Sequence, residues 1–144
     1  MKTRLQIRRL EPGAYDAMMA MEKYIDSATI QPALSELIRL RASQINGCAY
    51  CIEMHSLAAL KLGESQRKLF AITAWKESPL FSDEERVALT MTEEITHISA
   101  EGMTESTFQE AKKYFNEHEI AQLIMLISLI NVWNRIAIST HMHH

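Results

Sequence analysis

Glycine and proline are scarce in this chain, with 4 and 3 occurrences in 144 residues, and no stretch sustains the period-two alternation of a half-buried strand. Both features argue against a β-rich fold. Basic residues are not in excess either: 15 Lys and Arg stand against 18 Asp and Glu, for a formal net charge of -3, and no basic block or stripe occurs. A nucleic acid or an anionic membrane therefore has nothing to bind to electrostatically, and neither is expected as a partner. The longest apolar run, Leu123 to Ile130, is bracketed by Gln122, Asn131, Asn134 and Arg135. It falls far short of the roughly 20 residues a bilayer requires, and is expected to be a core helix. The charged N-terminal stretch Met1–Arg9 is followed by no apolar segment, so it does not read as a secretory signal. Only 2 cysteines are present, three positions apart at Cys48 and Cys51. A secreted scaffold would spread more of them through its loops, so this pair points to catalysis or metal binding in a cytoplasmic setting.

What remains is a chain that is 47% apolar and 23% charged, the balance of an ordinary globular protein. Its length suits one domain over residues 1–144, with His141–His144 read as a tail or tag remnant and left out of the site. Helix signals are frequent. Pro12 opens a helix to about Ser27, and Pro32 and Ser35 open another that Asn46–Gly47 stops. A third starts at Cys48 and ends at Gly63, and a fourth runs from about Ser65 to Trp75. Ser82 and Glu85 have capping-box spacing for a fifth helix to about Ser99. Thr104 caps a short sixth and Asn116 the last, Glu117 to Ser139. That last helix is apolar nearly all round, as expected of an element at the centre or covered by another subunit. The expectation is an all-α domain, a helical bundle of about six to seven helices.

The chemistry concentrates on the third helix. Offsets of three and four place Cys48, Cys51 and His55 on one face. At a helix start, unpaired N–H groups and the positive end of the dipole stabilise a thiolate, the reactive form of cysteine. The spacing also permits a disulfide, so one sulfur can attack and the other resolve. Asn46–Gly47 is a tight turn, so the second and third helices form an antiparallel hairpin. At about 1.5 Å per residue, His55 lies roughly 12 Å beyond Gly47 and Glu36 roughly 16 Å before it, bringing the two to similar heights. The resulting relay is Glu36–His55–Cys51, in which the carboxylate orients the imidazole and the imidazole exchanges a proton with sulfur.

The stretch from Glu36 to His55 contains Glu, eleven residues, Cys48, two residues, Cys51, three residues and His55. This pattern resembles the core motif of the alkylhydroperoxidase AhpD-like proteins of the carboxymuconolactone decarboxylase superfamily. The resemblance implies an all-α fold assembling into trimers or hexamers, and reduction of organic hydroperoxides or hydrogen peroxide without a cofactor. It implies Cys51 as the attacking thiolate, Cys48 as the resolving one, Glu36 and His55 as relay residues, and an external dithiol or protein as reductant. A physical argument agrees: the helix dipole favours Cys48 by about 0.3–1 kcal/mol, whereas an imidazole one turn away favours Cys51 and adds a proton donor with a rate factor of about 10²–10⁴. Where the best-known peroxidases of the family carry a histidine before the second cysteine, this chain has Tyr50. True decarboxylases of the family lack the cysteine pair, so their activity is not implied.

Other readings of the same residues stand beside these. Cys48, Cys51 and His55 supply three zinc ligands, one short of a closed tetrahedral site, so no metal is expected. Glu36 has Arg39 at i+3 as an alternative ion-pair partner. Tyr50 is either a hydrogen-bonding site residue or a packing aromatic. Glu93, Glu94 and His97 can be drawn as a metal cluster but read as a solvated helix face. The methionines, Trp75 and Trp133 read as core filler or as an apolar access path. The main functional alternative is a thiol–disulfide exchanger or redox sensor with little peroxidase turnover, supported by a Cys48 more exposed than Cys51.

Overall fold

Most helices begin where the sequence supplies a side-chain cap or a proline. In a computed structural model describing residues 2–143, the helices among the described residues are α1 (Ile7–Leu10), α2 (Pro12–Asp26), α3 (Pro32–Asn46), α4 (Ala49–Lys61), α5 (Gln66–Ala71), α6 (Asp83–Thr96), α7 (Glu105–Ala111) and α8 (Glu117–Thr140), with a 3-10 turn at Ile72–Ala74 after α5. Pro12 and Pro32 open α2 and α3, where their missing N–H costs nothing. Ser82 with Glu85 and Asn116 with Glu119 form reciprocal capping boxes at α6 and α8, and Ser65 and Thr104 cap α5 and α7. The all-α class is as expected. The count differs by α1, a single turn too short to leave a periodic signature. His144 lies outside the described residues.

α3 is the central element, packed against α4, α6 and α8. It is buried on two sides. Leu34 and Ile38 enter one cluster with Met91, Leu123 and Ile127, while Leu37 and Leu40 enter another with Ile72, Trp75, Phe81 and Leu89. Each such aliphatic side chain contributes about 1.5–3 kcal/mol on burial. α8 buries Leu123, Leu126, Ile127 and Ile130 and leaves Ile124, Met125, Val132 and Ile138 exposed. The run Leu123–Ile130 understates this helix: over its 24 residues it is long and apolar enough to cross a membrane by composition, and half of its most apolar window is buried inside the fold.

A polar cluster ties α8 to the end of α3. Asn46 Nδ2 donates to Asn131 Oδ1 and Asn134 Oδ1, each at 2.9 Å, while Asn134 Nδ2 donates to Ser43 Oγ and Asn131 Nδ2 to Thr96 Oγ1, each at 3.0 Å. Buried amides are retained only when so satisfied. Because Asn46 is the last residue of α3, these bonds also hold the turn that leads into α4.

Glu93 pins α6 to α3 and to the 3-10 segment. Its Oε1 accepts from Arg41 (Nε 3.0 Å, Nη2 2.9 Å) and Trp75 Nε1 (2.8 Å), and its Oε2 pairs with Lys76 Nζ at 2.9 Å. Burial alone would raise its carboxyl pKa, but the bonds from Lys76, Trp75 and Arg41, with the Arg41 charge, hold it below the ordinary value of 4.5. The stability Glu93 supplies is therefore complete above that value and lost as pH falls through the folded pKa. Glu93→Gln is expected to cost about 1.5–3 kcal/mol at neutral pH in urea denaturation. The difference from wild type should shrink as pH drops below 4.5; a difference that grows there would contradict this account.

Candidate active site

Gly47 stops α3 in the left-handed conformation, with φ 72°, which glycine adopts without the steric cost a side chain brings. The chain reverses, Cys48 N–H bonds to Ser43 O at 2.9 Å, and α4 starts at Ala49. Cys48 is thus the cap residue of α4 and Cys51 lies in its first turn. Cys51 N–H donates to Cys48 Sγ at 3.4 Å, so the first sulfur sits at the positive end of the helix. The two cysteines are joined in a disulfide, with Cα atoms 5.3 Å apart, within the range such bridges require.

Both sulfur-bearing residues are buried, Cys48 at 1% and Cys51 at 2% exposure, in a cluster with Ala137 against which Tyr50 and Met142 pack. The expectation of a more exposed Cys48 is therefore wrong. A cap position is exposed on an isolated helix, but here α8 covers it.

One turn beyond Cys51, His55 is buried at 5% exposure. Its Nδ1 lies 2.7 Å from Glu36 Oε2 across the α3–α4 hairpin. A carboxylate only accepts, so the proton in this contact is carried by Nδ1, and Nε2 is the nitrogen turned away from Glu36. Among the described residues Nε2 is buried without a hydrogen-bond partner. The structure thus brings Glu36 to His55 and keeps Cys51 one helical turn away, a spacing at which Cβ atoms are about 5–6 Å apart.

Arg39 does not pair with Glu36. Its guanidinium reaches Glu22 on α2 in a bidentate contact, Nη1 to Oε1 at 3.0 Å and Nη2 to Oε2 at 2.8 Å. Trp133 Nε1 of α8 donates to the same Oε1 at 2.7 Å. Tyr50, Cys51 and His55 face one cavity of about 460 Å³ together with Glu22, Trp133 and Met142, a size typical of small-molecule sites. Glu22 and Trp133 come from distant helices, and Met142 from the segment expected to be a tail. A left-handed His141, with Met142 N bonded to Ala137 O at 2.9 Å, turns that segment back toward the sulfurs.

The drawn Glu93–Glu94–His97 cluster does not assemble. Glu93 is engaged as described, Glu94 accepts from Thr104 and Thr107 at the start of α7, and His97 is exposed at the end of α6. Among the described residues no group of three His, Cys, Asp or Glu side chains is placed to hold a metal ion.

The carboxymuconolactone decarboxylase family model matches residues 12–94, which contain the whole α2–α4 site. The uncharacterized protein YdfG of Bacillus subtilis (strain 168) is 36% identical over 139 residues, covering 96% of this chain and 95% of that protein. A crystal structure from Agrobacterium tumefaciens, described as a protein of unknown function and candidate antioxidant defence protein AhpD, superposes with a TM-score of 0.96 at 35% identity over 99% of this chain and 98% of that one. The debrominase Bmp8, solved with 2,3,4-tribromopyrrole, shares the fold at 22% identity, with a TM-score of 0.81 over 91% of this chain and 70% of its own. A matched segment holding every residue of the hairpin, and relatives aligned along nearly the whole length, establish that the chain belongs to the carboxymuconolactone decarboxylase family, with the AhpD-like fold.

Proposed function

We propose that this protein is a thiol-dependent peroxidase in which Cys51 attacks the peroxide, Cys48 resolves, and His55 and Glu36 move the proton. The observation that carries the reading is the buried, unpartnered Nε2 of an imidazole whose other nitrogen is held by a carboxylate, one helical turn from the sulfur in a cavity both residues line. In the reduced protein, Nε2 takes the proton of the Cys51 thiol. The thiolate attacks the terminal oxygen of the hydroperoxide, the O–O bond breaks, and Nε2 returns the proton to the leaving alkoxide. The products are a sulfenic acid on Cys51 and an alcohol, or water from hydrogen peroxide. The Cys48 thiol then displaces hydroxide from that sulfur as water, forming the disulfide, and an external dithiol reduces it.

The disulfide-exchange alternative loses its main support, because Cys48 is no more open to a partner protein than Cys51. Ring debromination is the activity of a protein that shares the fold at 22% identity, and it is not carried over to this chain.

Cys51→Ser is expected to abolish peroxide consumption even in a single turnover. Cys48→Ser should form one sulfenic acid per chain, trapped by dimedone, and then stop. His55→Gln should slow the first step by about 10²–10⁴, and Glu36→Gln should slow it less. Dimedone labelling of Cys48 in Cys51→Ser at the wild-type rate would reverse the assignment.

We further propose that the protein is a homo-oligomer in multiples of three, as the resemblance implies. The exposed Ile124, Met125, Val132 and Ile138 of α8 supply surplus apolar surface for such an interface. Light scattering at micromolar concentration should give a trimer or hexamer mass. A monomer would contradict it.

A further inference from the structure

The cavity beside the disulfide has an aromatic wall that is fixed before any ligand arrives. Trp133 donates its indole N–H to Glu22, and Glu22 is itself gripped by both terminal nitrogens of Arg39, which is buried at 5% exposure. Tyr15 meets the indole edge to face, with ring centroids 5.7 Å apart and planes at 70°. Met19 and Met54 complete an apolar surround between α2 and α4. A wall whose orientation is already determined contributes to binding without an ordering cost on association.

The charges around the cavity point the same way. Its lining carboxylates are Glu22, Asp26 and Glu36, and among the lining residues the one guanidinium, Arg39, is taken by Glu22. Among the lining residues no Lys or Arg is left unpaired, and Arg8 stands outside the lining, 5.7 Å from the centroid of the Tyr15 ring. The unpartnered buried atom on the lining, His55 Nε2, lies at the reacting end. A molecule suited to this space carries one small polar head for His55 and Cys51 and an uncharged body for the aromatic wall. Hydrogen peroxide leaves that wall unused, and a fatty-acid hydroperoxide brings a carboxylate into an acidic surround.

We propose that Trp133 is the specificity-determining residue of this site, that Glu22 is its positioning residue, and that the site selects uncharged hydroperoxides bearing an aromatic ring. This rests on the peroxidase reading for turnover, whereas ring binding is measurable without it.

The test compares cumene hydroperoxide, tert-butyl hydroperoxide and linoleic acid hydroperoxide with dithiothreitol as reductant, alongside equilibrium binding of 2-phenyl-2-propanol to the disulfide form by ligand-observed NMR. Wild type is expected to have its highest kcat/KM with cumene hydroperoxide. Trp133→Ala should lower the cumene to tert-butyl ratio about tenfold, mainly through KM, since an aromatic contact of this kind is worth about a factor of ten at most. Trp133→Leu keeps apolar bulk and should give the same fall if the alanine variant does not fold, while Trp133→Phe, which keeps a ring but loses the N–H bond to Glu22, should recover the ratio only in part. Glu22→Leu should raise KM for cumene hydroperoxide, and Glu22→Gln, which keeps an acceptor for the indole, should recover it. Binding of the alcohol without peroxide turnover would overturn the peroxidase reading and keep the ring-selective wall. Turnover with equal losses on all three substrates in Trp133→Ala and Trp133→Leu, or a wild-type preference for the anionic peroxide, would overturn the wall. Neither binding nor turnover would overturn both.

Discussion

Everything at the site depends on the left-handed turn at Gly47. It reverses α3 into α4, which makes Cys48 a helix cap, puts Cys51 in the first turn, and lays His55 opposite Glu36. A side chain at that position would cost about 1–2 kcal/mol in the same conformation. The turn does not stand alone. Asn46, the residue before it, is bonded to Asn131 and Asn134 of α8, so the reversal is tied to the longest helix of the fold. Backbone geometry, a satisfied polar cluster and a central hydrophobic helix thus converge on one corner of the molecule.

That corner combines burial with unused polar capacity. The sulfurs are shielded from solvent, which slows indiscriminate thiol exchange, and the imidazole is oriented by one bond while its second nitrogen has none. Buried polar atoms are normally paired, and this one stands unpaired among the described residues, on a residue that lines the cavity. Glu36 and Glu22 both line the cavity, yet the first holds an imidazole and the second an indole.

Much of this is legible in the sequence. Capping signals at Ser82 and Asn116, prolines at 12 and 32, and the Asn46–Gly47 stop are local, and local rules read them. Counting residues outward from the turn also brings Glu36 to the height of His55, because two helices leaving one tight turn run in register. What escapes such reading is set by packing between distant parts of the chain. Arg39 has carboxylates nearby in sequence, yet it pairs with Glu22, seventeen positions away, and Trp133 reaches that same carboxylate across 111 positions. The burial of Cys48 follows from α8, and Met142 reaches the sulfurs through a left-handed turn at His141 that no glycine announces. The one-turn helix α1 escapes because four residues carry no period.

The central claim is that the Cys48–Cys51 disulfide is the product of peroxide reduction at this corner. The direct measurement takes fully reduced protein, one equivalent of cumene hydroperoxide and no external reductant, and quantifies 2-phenyl-2-propanol by chromatography and the bridge by intact mass. The account predicts one alcohol and one intramolecular disulfide per chain, with a second equivalent of peroxide left untouched. Peroxide that persists beside intact thiols, or a disulfide that forms without its equivalent of alcohol, would contradict it.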